Sequence, residues 1–294
     1  TVGSKLLAER LTGEMLKGYV DKAGVSLYDE IKKLGGNPDN LYAERNYIKN
    51  AFGFIEMHIE QGPVLEERHT DIGIVGHIAA PYRLRITVEG TAAHSGACPM
   101  GSRNDALTGA AEMILAVEKL GRQYADKRIV ATVGKCDVIN EAINIVPGHV
   151  ELYVDIRGIE KDVIAEVVTK LHEELNRIAM ERKLKIEPAI LGQEQPVKLD
   201  DDMAELLVEQ CVPNRLTFLH MVSGAGHDTM YMAGLTRATM FFVPCDKGIS
   251  HNKKEAVSDE AVQNGLKLMY SVLLRICNLD PEEEKEKAEM QRRF

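Results

Sequence analysis

Four of the nine histidines sit among glycine, serine or acidic residues, surroundings that a packed core histidine does not require: His58, His94, His227 and His251. His58 belongs to FGFIEMHIE at 52–60, where alternation puts Phe52, Phe54, Glu56, His58 and Glu60 on one face and Ile55, Met57 and Ile59 on the other. That period predicts a strand with one apolar face and one chemically loaded face. It runs into Gln61-Gly62-Pro63, a turn that leaves the strand end open to a cleft. A neutral imidazole flanked by carboxylates suits a metal ligand oriented by an acidic partner, and it equally suits a polar strand end at the surface. His251 follows an apolar strand within Gly248-Ile249-Ser250-His251-Asn252. A loop at the C-terminal end of a strand is where α/β sheets place ligands, so His251 can reach a metal or face solvent.

SGAGHDT at 223–229 puts three small residues before a His-Asp pair that opens a helix. Backbone N–H groups at such a start can bind a carboxylate or a developing oxyanion, and Asp228 can equally be an ordinary N-terminal helix charge. His94 lies in AAHSGACPMGSRNDA, a turn that follows a strand and leads into a helix with Asn104-Asp105 near its start. A histidine there could hydrogen-bond an oxyanion. Asn144 in NIVPG and Arg157 in DIRG are further polar groups at strand ends. The Arg157 fork fits a substrate carboxylate bidentately or a salt bridge to Asp155. The five cysteines (Cys98, Cys136, Cys211, Cys245 and Cys277) are far apart and form no CxxC pair, which fits reduced thiols rather than disulfides or a thiolate zinc site.

Periodicity indicates the elements that must position these groups. Residues 4–34 read as helical scaffold, with Ser26 at the start and Gly35-Gly36 at the stop of a short helix. From Arg83 the order becomes strand, helix (Asn104 to Leu120), two strands (RIVATVGKCDV and GHVELYVDIRG), helix (Asp162 to Arg182) and strand (LKIEPAIL). This is the pattern of an α+β module with four strands and two helices on one face. Then come a helix at Asp201–Cys211, the Gly-rich turn with its helix, the strand ATMFFVP, a loop and a closing helix from Ser258 to Cys277. The charged EEEKEKAEMQRRF reads as a solvated helix. The predicted fold class is α/β, a discontinuous catalytic domain of residues 1–81 and 198–294 with an inserted domain at 82–197.

With 294 residues, 36 Lys+Arg and 45 Asp+Glu, the chain carries a formal charge of −9 and 45% hydrophobic residues. This composition excludes a disulfide-stapled miniprotein and a disordered chain. The acidic balance argues against nucleic-acid and anionic-membrane partners. No apolar run approaches a membrane span, and TVGSKLLAERLTGEM has no signal-peptide core, so a cytoplasmic location is expected.

Taken together, HIEQGP (58–63), AHSGACPM (93–100), NIVPG (144–148), DIRG (155–158), SGAGHD (223–228) and GISHN (248–252) resemble the M20-type amidohydrolases. The likeness is to the branch of N-carbamoyl-L-amino-acid hydrolase, allantoate amidohydrolase and β-ureidopropionase, and it runs from about residue 3 to 277. It implies a metallohydrolase catalytic domain holding two divalent ions, zinc or manganese, and an inserted α+β lid through which the protein forms a homodimer. By motif match, His58 resembles a ligand of one metal and His251 a ligand of the other. Gln61 and the backbone at Gly226 would contact a small ureido or N-carbamoyl acid, and Asn144 and Arg157 would hold its carboxylate. His94 would polarise the scissile carbonyl, while a metal-bound hydroxide would release ammonia and carbon dioxide.

Two departures from the family pattern bear on this expectation. Where members read HAGTTPM or HAGNTPM, this chain has His94-Ser95-Gly96-Ala97-Cys98-Pro99-Met100. The family's first metal-binding histidine, its bridging aspartate and its Glu-Glu pair all precede the Gly-Ser that aligns with Gly3-Ser4, and none is found in this chain. Three alternatives follow: a piece of an active enzyme completed by another polypeptide, a truncated product keeping the lid and dimer interface, or a non-catalytic homologue that binds small molecules or a partner. A dipeptide substrate, as in M20 peptidases, also remains open.

Overall fold

The computed structural model describes residues 2–41, 50–140 and 142–278. They divide into two compact units: one within Thr1–His77, Lys198–Ser223 and His227–Phe294, the other Ile78–Val197 with Gly224–Gly226. The charged helix expected in the last residues lies outside the described residues.

In chain order the elements are α1 (Val2–Leu7), α2 (Gly13–Gly18), α3 (Leu27–Lys33), β1 (Phe54–Ile59), α4 (Val64–Glu67) and β2 (Ile72–Ile78). They continue with β3 (Ala80–Glu89), β4 (Ala93–His94), α5 (Ala106–Gln123), β5 (Val130–Val138), β6 (Ile145–Val146), β7 (His149–Gly158), α6 (Lys161–Arg182) and β8 (Lys185–Gln193). The chain then forms β9 (Val197–Lys198), α7 (Asp201–Cys211), β10 (Phe218–Ser223), α8 (Thr229–Met232), β11 (Ala238–Val243) and α9 (Asp259–Cys277).

The first unit is built on a sheet of order β1-β11-β2-β10, with β9 paired to β2. β1 runs parallel to β11, and β11 antiparallel to β2. β11 is buried along its whole length, which is why its sequence, ATMFFV, is apolar without alternation. Leu207 and Cys211 of α7 and Leu268 and Val272 of α9 pack with Phe241, Ile72 and Ile74 into one core. Helix ends follow the expected caps: Ser26 accepts from the Asp29 N–H, Ser258 from the Ala261 N–H, and Gly35 leaves α3 at φ +84°.

The second unit is an antiparallel sheet of order β5-β7-β3-β8. With α5 and α6 it has the βαββαβ order expected from the sequence. Alternate residues explain its single core: Leu84, Ile86 and Val88 of β3 and Leu152, Val154 and Ile156 of β7 face Ala110, Met113 and Val117 of α5 and Val167, Leu171 and Leu175 of α6. The sequence reading did not include β2, β10 or the two-residue ladder of β4 with β6. The helix expected after the Gly-rich turn is only the four residues of α8.

Candidate active site

In the first unit, His58 lies opposite Phe242 in the parallel register of β1 and β11. Its Nδ1 donates to the carbonyl of Ile59 at 2.8 Å, leaving Nε2 with its lone pair available. The orienting group is therefore a backbone carbonyl, and the two neighbouring carboxylates do other work. Glu56 accepts from the Thr229 N–H at 2.9 Å and the Thr229 hydroxyl at 2.5 Å. Glu60 accepts from the N–H groups of Val64 at 2.9 Å and Leu65 at 2.7 Å, so it caps α4. At the helix start, which could by its sequence bind an external anion, the Thr229 N–H is thus satisfied internally by Glu56. Asp228 serves neither reading alone, because its Oδ1 accepts from the Ser4 hydroxyl at 2.6 Å.

The ring of His227 meets that of His58 edge-on, with centroids 4.6 Å apart. Its Nε2 is 2.7 Å from the Ser223 hydroxyl, and Phe242 lies 5.6 Å away across a tilted contact. Burial pushes the His227 pKa down to about 4, helped by His58 and opposed by Asp228, so the ring is neutral near pH 7.

Gln61 adopts φ +60° in the turn that ends β1. The loop carrying His251 is fastened to this turn. Gly248, at φ +63°, comes so close that a Cβ there would lie 2.6 Å from Gly62 C and Pro63 N. The Lys247 N–H donates to Glu66 Oε2 at 2.8 Å, and the Cys245 thiol faces the Gly62 carbonyl at 3.7 Å. His251 is exposed, with φ +56° and its N–H donating to Glu255 Oε2 at 2.9 Å. Among the described residues no group of three or more His, Cys, Asp and Glu side chains is placed to hold a metal ion. A structural zinc site takes four ligands and a catalytic one three plus water, so the described residues alone do not fit a two-metal centre.

In the second unit, β4 and β6 pair Ala93 with Val146 and His94 with Ile145, and the Ser95 N–H donates to the Asn144 carbonyl at 2.9 Å. This short ladder puts the exposed residues His94 and Asn144 side by side on neighbouring segments. The Gly96 N–H donates to His94 Nδ1 at 3.2 Å, which leaves the ring hydrogen on Nε2. His94 therefore presents a donor.

Arg157 ends β7. Its Nε donates to Asp155 Oδ1 at 3.0 Å, its Nη2 to Asp155 Oδ2 at 2.8 Å and its Nη1 to the Gly224 carbonyl at 2.7 Å. The salt bridge and the ligand fork are compatible, because a guanidinium has five donors and these bonds use three. Burial works to raise the pKa of Asp155, but Arg157 and then Arg83 outweigh it and hold the carboxyl below its ordinary value. Gly226 is exposed two residues beyond Gly224, in the segment that Arg157 touches. The sequence reading singled out His227 without giving it a role, and its signal was the SGAGHD segment. It did not identify Arg103, whose guanidinium holds the turn carrying His94.

A model of the family described as peptidase family M20/M25/M40 matches residues 3–275. The chain is 37% identical over 279 residues to a ureidoglycolate hydrolase of Arabidopsis thaliana, covering 93% of this chain and 58% of that protein. It is 34% identical over 275 residues to an N-carbamoyl-L-amino-acid amidohydrolase of Pseudomonas sp. (strain NS671), covering 93% and 66%. Among solved structures, an amidase of the hydantoinase/carbamoylase family from Burkholderia multivorans superposes with a TM-score of 0.83 at 30% identity, covering 95% of this chain and 67% of that one. The chain spans 58% to 66% of the length of these two curated relatives.

Proposed function

The chain belongs to peptidase family M20/M25/M40, and from that membership we propose that it serves a hydrolase of linear amides. The reaction removes the carbamoyl group of an N-carbamoyl amino acid or a related ureido acid such as allantoate, consuming water and releasing the amine, ammonia and carbon dioxide. Support comes from relatives named for ureido and carbamoyl substrates. The observation that carries the reading is a pair of complementary groups in one unit: Arg157, which spends three of its five N–H donors among the described residues, and His94, with its hydrogen on Nε2. Arg157 and Asn144 would hold the substrate carboxylate. His94 would donate to the carbamoyl oxygen as negative charge develops there, a contribution that is greatest in the transition state. Gln61 and Gly226 would contact the substrate.

Members of the family are generally dinuclear metal hydrolases. His58 and His251 are the proposed imidazole donors to zinc or manganese. The further donors such a centre needs are not assembled among the described residues. That observation also favours a second reading, a homologue that binds ureido acids without turning them over. Homodimerisation through the second unit as a lid is part of the proposal, supported by exposed Val130 and Ile190 on its two edge strands. Light scattering checks the dimer.

The deciding experiment measures metal content and ammonia release from a panel of N-carbamoyl amino acids, ureidoglycolate and allantoate, after loading the chain with zinc or manganese. Ammonia release that a chelator abolishes supports the hydrolase reading and requires metal donors beyond those assembled among the described residues. Binding of a ureido acid without ammonia favours the second reading, and cleavage of a dipeptide in place of the panel moves the chain to the peptidases.

A further inference from the structure

One side chain joins two carbonyls of the turn that carries His94. We infer that Arg103 is the positioning residue that fixes the tautomer and direction of the His94 imidazole. This rests on the reading of His94 as the donor to the substrate carbonyl.

The turn closes on itself at two points, with the N–H groups of Ala97 and Cys98 both donating to the His94 carbonyl at 3.1 and 3.0 Å. The Ser95 and Cys98 carbonyls are bridged by Arg103. Its Nη2 donates to Ser95 O at 2.5 Å and to Cys98 O at 3.1 Å, and its Nε donates to Cys98 O at 3.1 Å. Among the described residues Arg103 pairs with no carboxylate. A half-buried guanidinium whose hydrogen bonds all go to the carbonyls of one turn acts as a strut for that turn.

The backbone of Arg103 is itself anchored. It directly precedes Asn104, whose carbonyl accepts from the Thr91 N–H at 2.8 Å, and Asp105, which caps the 18-residue α5. The Ala106 N–H donates to the Pro147 carbonyl at 3.0 Å. The strut thus stands on the strand and helix ends that flank the turn. With the Ser95 and Cys98 carbonyls held, the peptide between Ser95 and Gly96 is oriented and the Gly96 N–H is aimed at Nδ1. An exposed imidazole without such a partner exchanges between tautomers, because the protonated nitrogen is set by what the other one meets. Arg103 acts at one remove from the substrate, through the turn and Gly96.

The test uses the full chain labelled with nitrogen-15 at its histidines, in mildly alkaline buffer, with His94 assigned by loss of its signals in His94→Gln. Long-range proton–nitrogen correlations separate the two neutral tautomers. Wild type should show His94 with the hydrogen on Nε2. Arg103→Gln should give a mixture of both tautomers, with the other histidines unchanged. Arg103→Lys, which keeps the charge but loses the Nε bond and the rigid planar fork, should fall between and serves if the glutamine variant does not fold. An Nδ1-protonated His94 in wild type, or an unchanged His94 pattern in folded variants, overturns the inference. In the ammonia assay the same variants should lose kcat by about 10- to 100-fold with KM within about twofold, the pattern of a misplaced group rather than lost binding. A wild-type chain that releases no ammonia from any ureido acid sinks the proposed function alone, since the tautomer result stands by itself.

Discussion

At the scale of single residues, the predictions separate carboxylate binding from oxyanion stabilisation. Arg157→Ala removes a charged fork, and a hydrogen bond to a charged group contributes about 1.5–3 kcal/mol. In an active assembly KM for a ureido acid should therefore rise about tenfold or more while kcat changes little. An unchanged KM would count against the carboxylate role. His94→Ala should abolish most turnover and leave metal content unaltered, and metal loss in that variant would sink the oxyanion assignment. The same arginine also shows in stability. Asp155 is held below its ordinary pKa by Arg157 and Arg83, so its contribution is present above the unfolded-state value of about 3.9 and is lost as pH falls through the lower folded-state value. Urea unfolding should thus find Arg157→Ala about 1–2 kcal/mol less stable at neutral pH, with the gap narrowing in acid. His94, Asn144 and Arg157 stand out as candidates in the sequence because each sets beside a strand end a side chain that the core does not need. The partners of His58 were not legible, because alternation puts Glu56 and Glu60 on its face without saying which distant N–H groups reach them first. Thr229 is 173 positions from Glu56 in the chain.

At the scale of elements, glycine decides where the turn carrying His94 can sit. Gly90 directly follows β3; its N–H donates to the Gly148 carbonyl, and a Cβ there would lie 2.1 Å from the Asn104 carbonyl oxygen. Backbone cannot yield as a flexible side chain does. Gly90→Ala should cost about 2–3 kcal/mol or more, as overpacking does. Gly76→Ala, in β2 with open space around it, should be close to neutral. Equal denaturation midpoints for the two variants would show that the strand end and the start of α5 part freely. The second unit was readable as βαββαβ because β7 alternates along its whole length and β3 from Leu84 onward, one face packing on two helices. β2 was not, because DIGIVGHI offers a continuous apolar run with two glycines, which has no period to distinguish a buried strand from a buried helix segment. β10 fails differently: FLHMVS is too short and mixed to alternate. The pairing of β4 with β6 rests on two residues per strand, below what any periodicity can mark.

At the scale of the whole molecule, a formal charge of −9 works against any anionic ligand, so the proposed binding of a ureido acid would have to rest on local donors such as Arg157 rather than on long-range attraction. The chain order also bears on how the molecule can be divided. The second unit enters through β3 and leaves through β8, which are neighbours in its sheet with Tyr82 opposite Gln193. In the first unit the exit and return points are likewise adjacent, since β9 pairs with β2 and the Leu199 N–H donates to the Gly76 carbonyl at 2.9 Å. An insertion whose ends lie together in both units imposes little strain on either. The buried core of the second unit is drawn from residues 84–178, with Tyr82, Leu184 and Ile186 packed against it. A fragment of residues 78–197, expressed alone, should therefore fold cooperatively, with mixed helix and strand circular dichroism and a single urea transition. Within it, Leu171→Ala removes a fully buried side chain of α6 and should lower stability by about 2–5 kcal/mol. A fragment that shows no cooperative transition would mean that this core depends on residues beyond those that line it. The same fragment lacks Gly224, so Arg157 would keep Asp155 and lose its other partner, which makes it a clean background for measuring how far the guanidinium can be drawn to an added carboxylate.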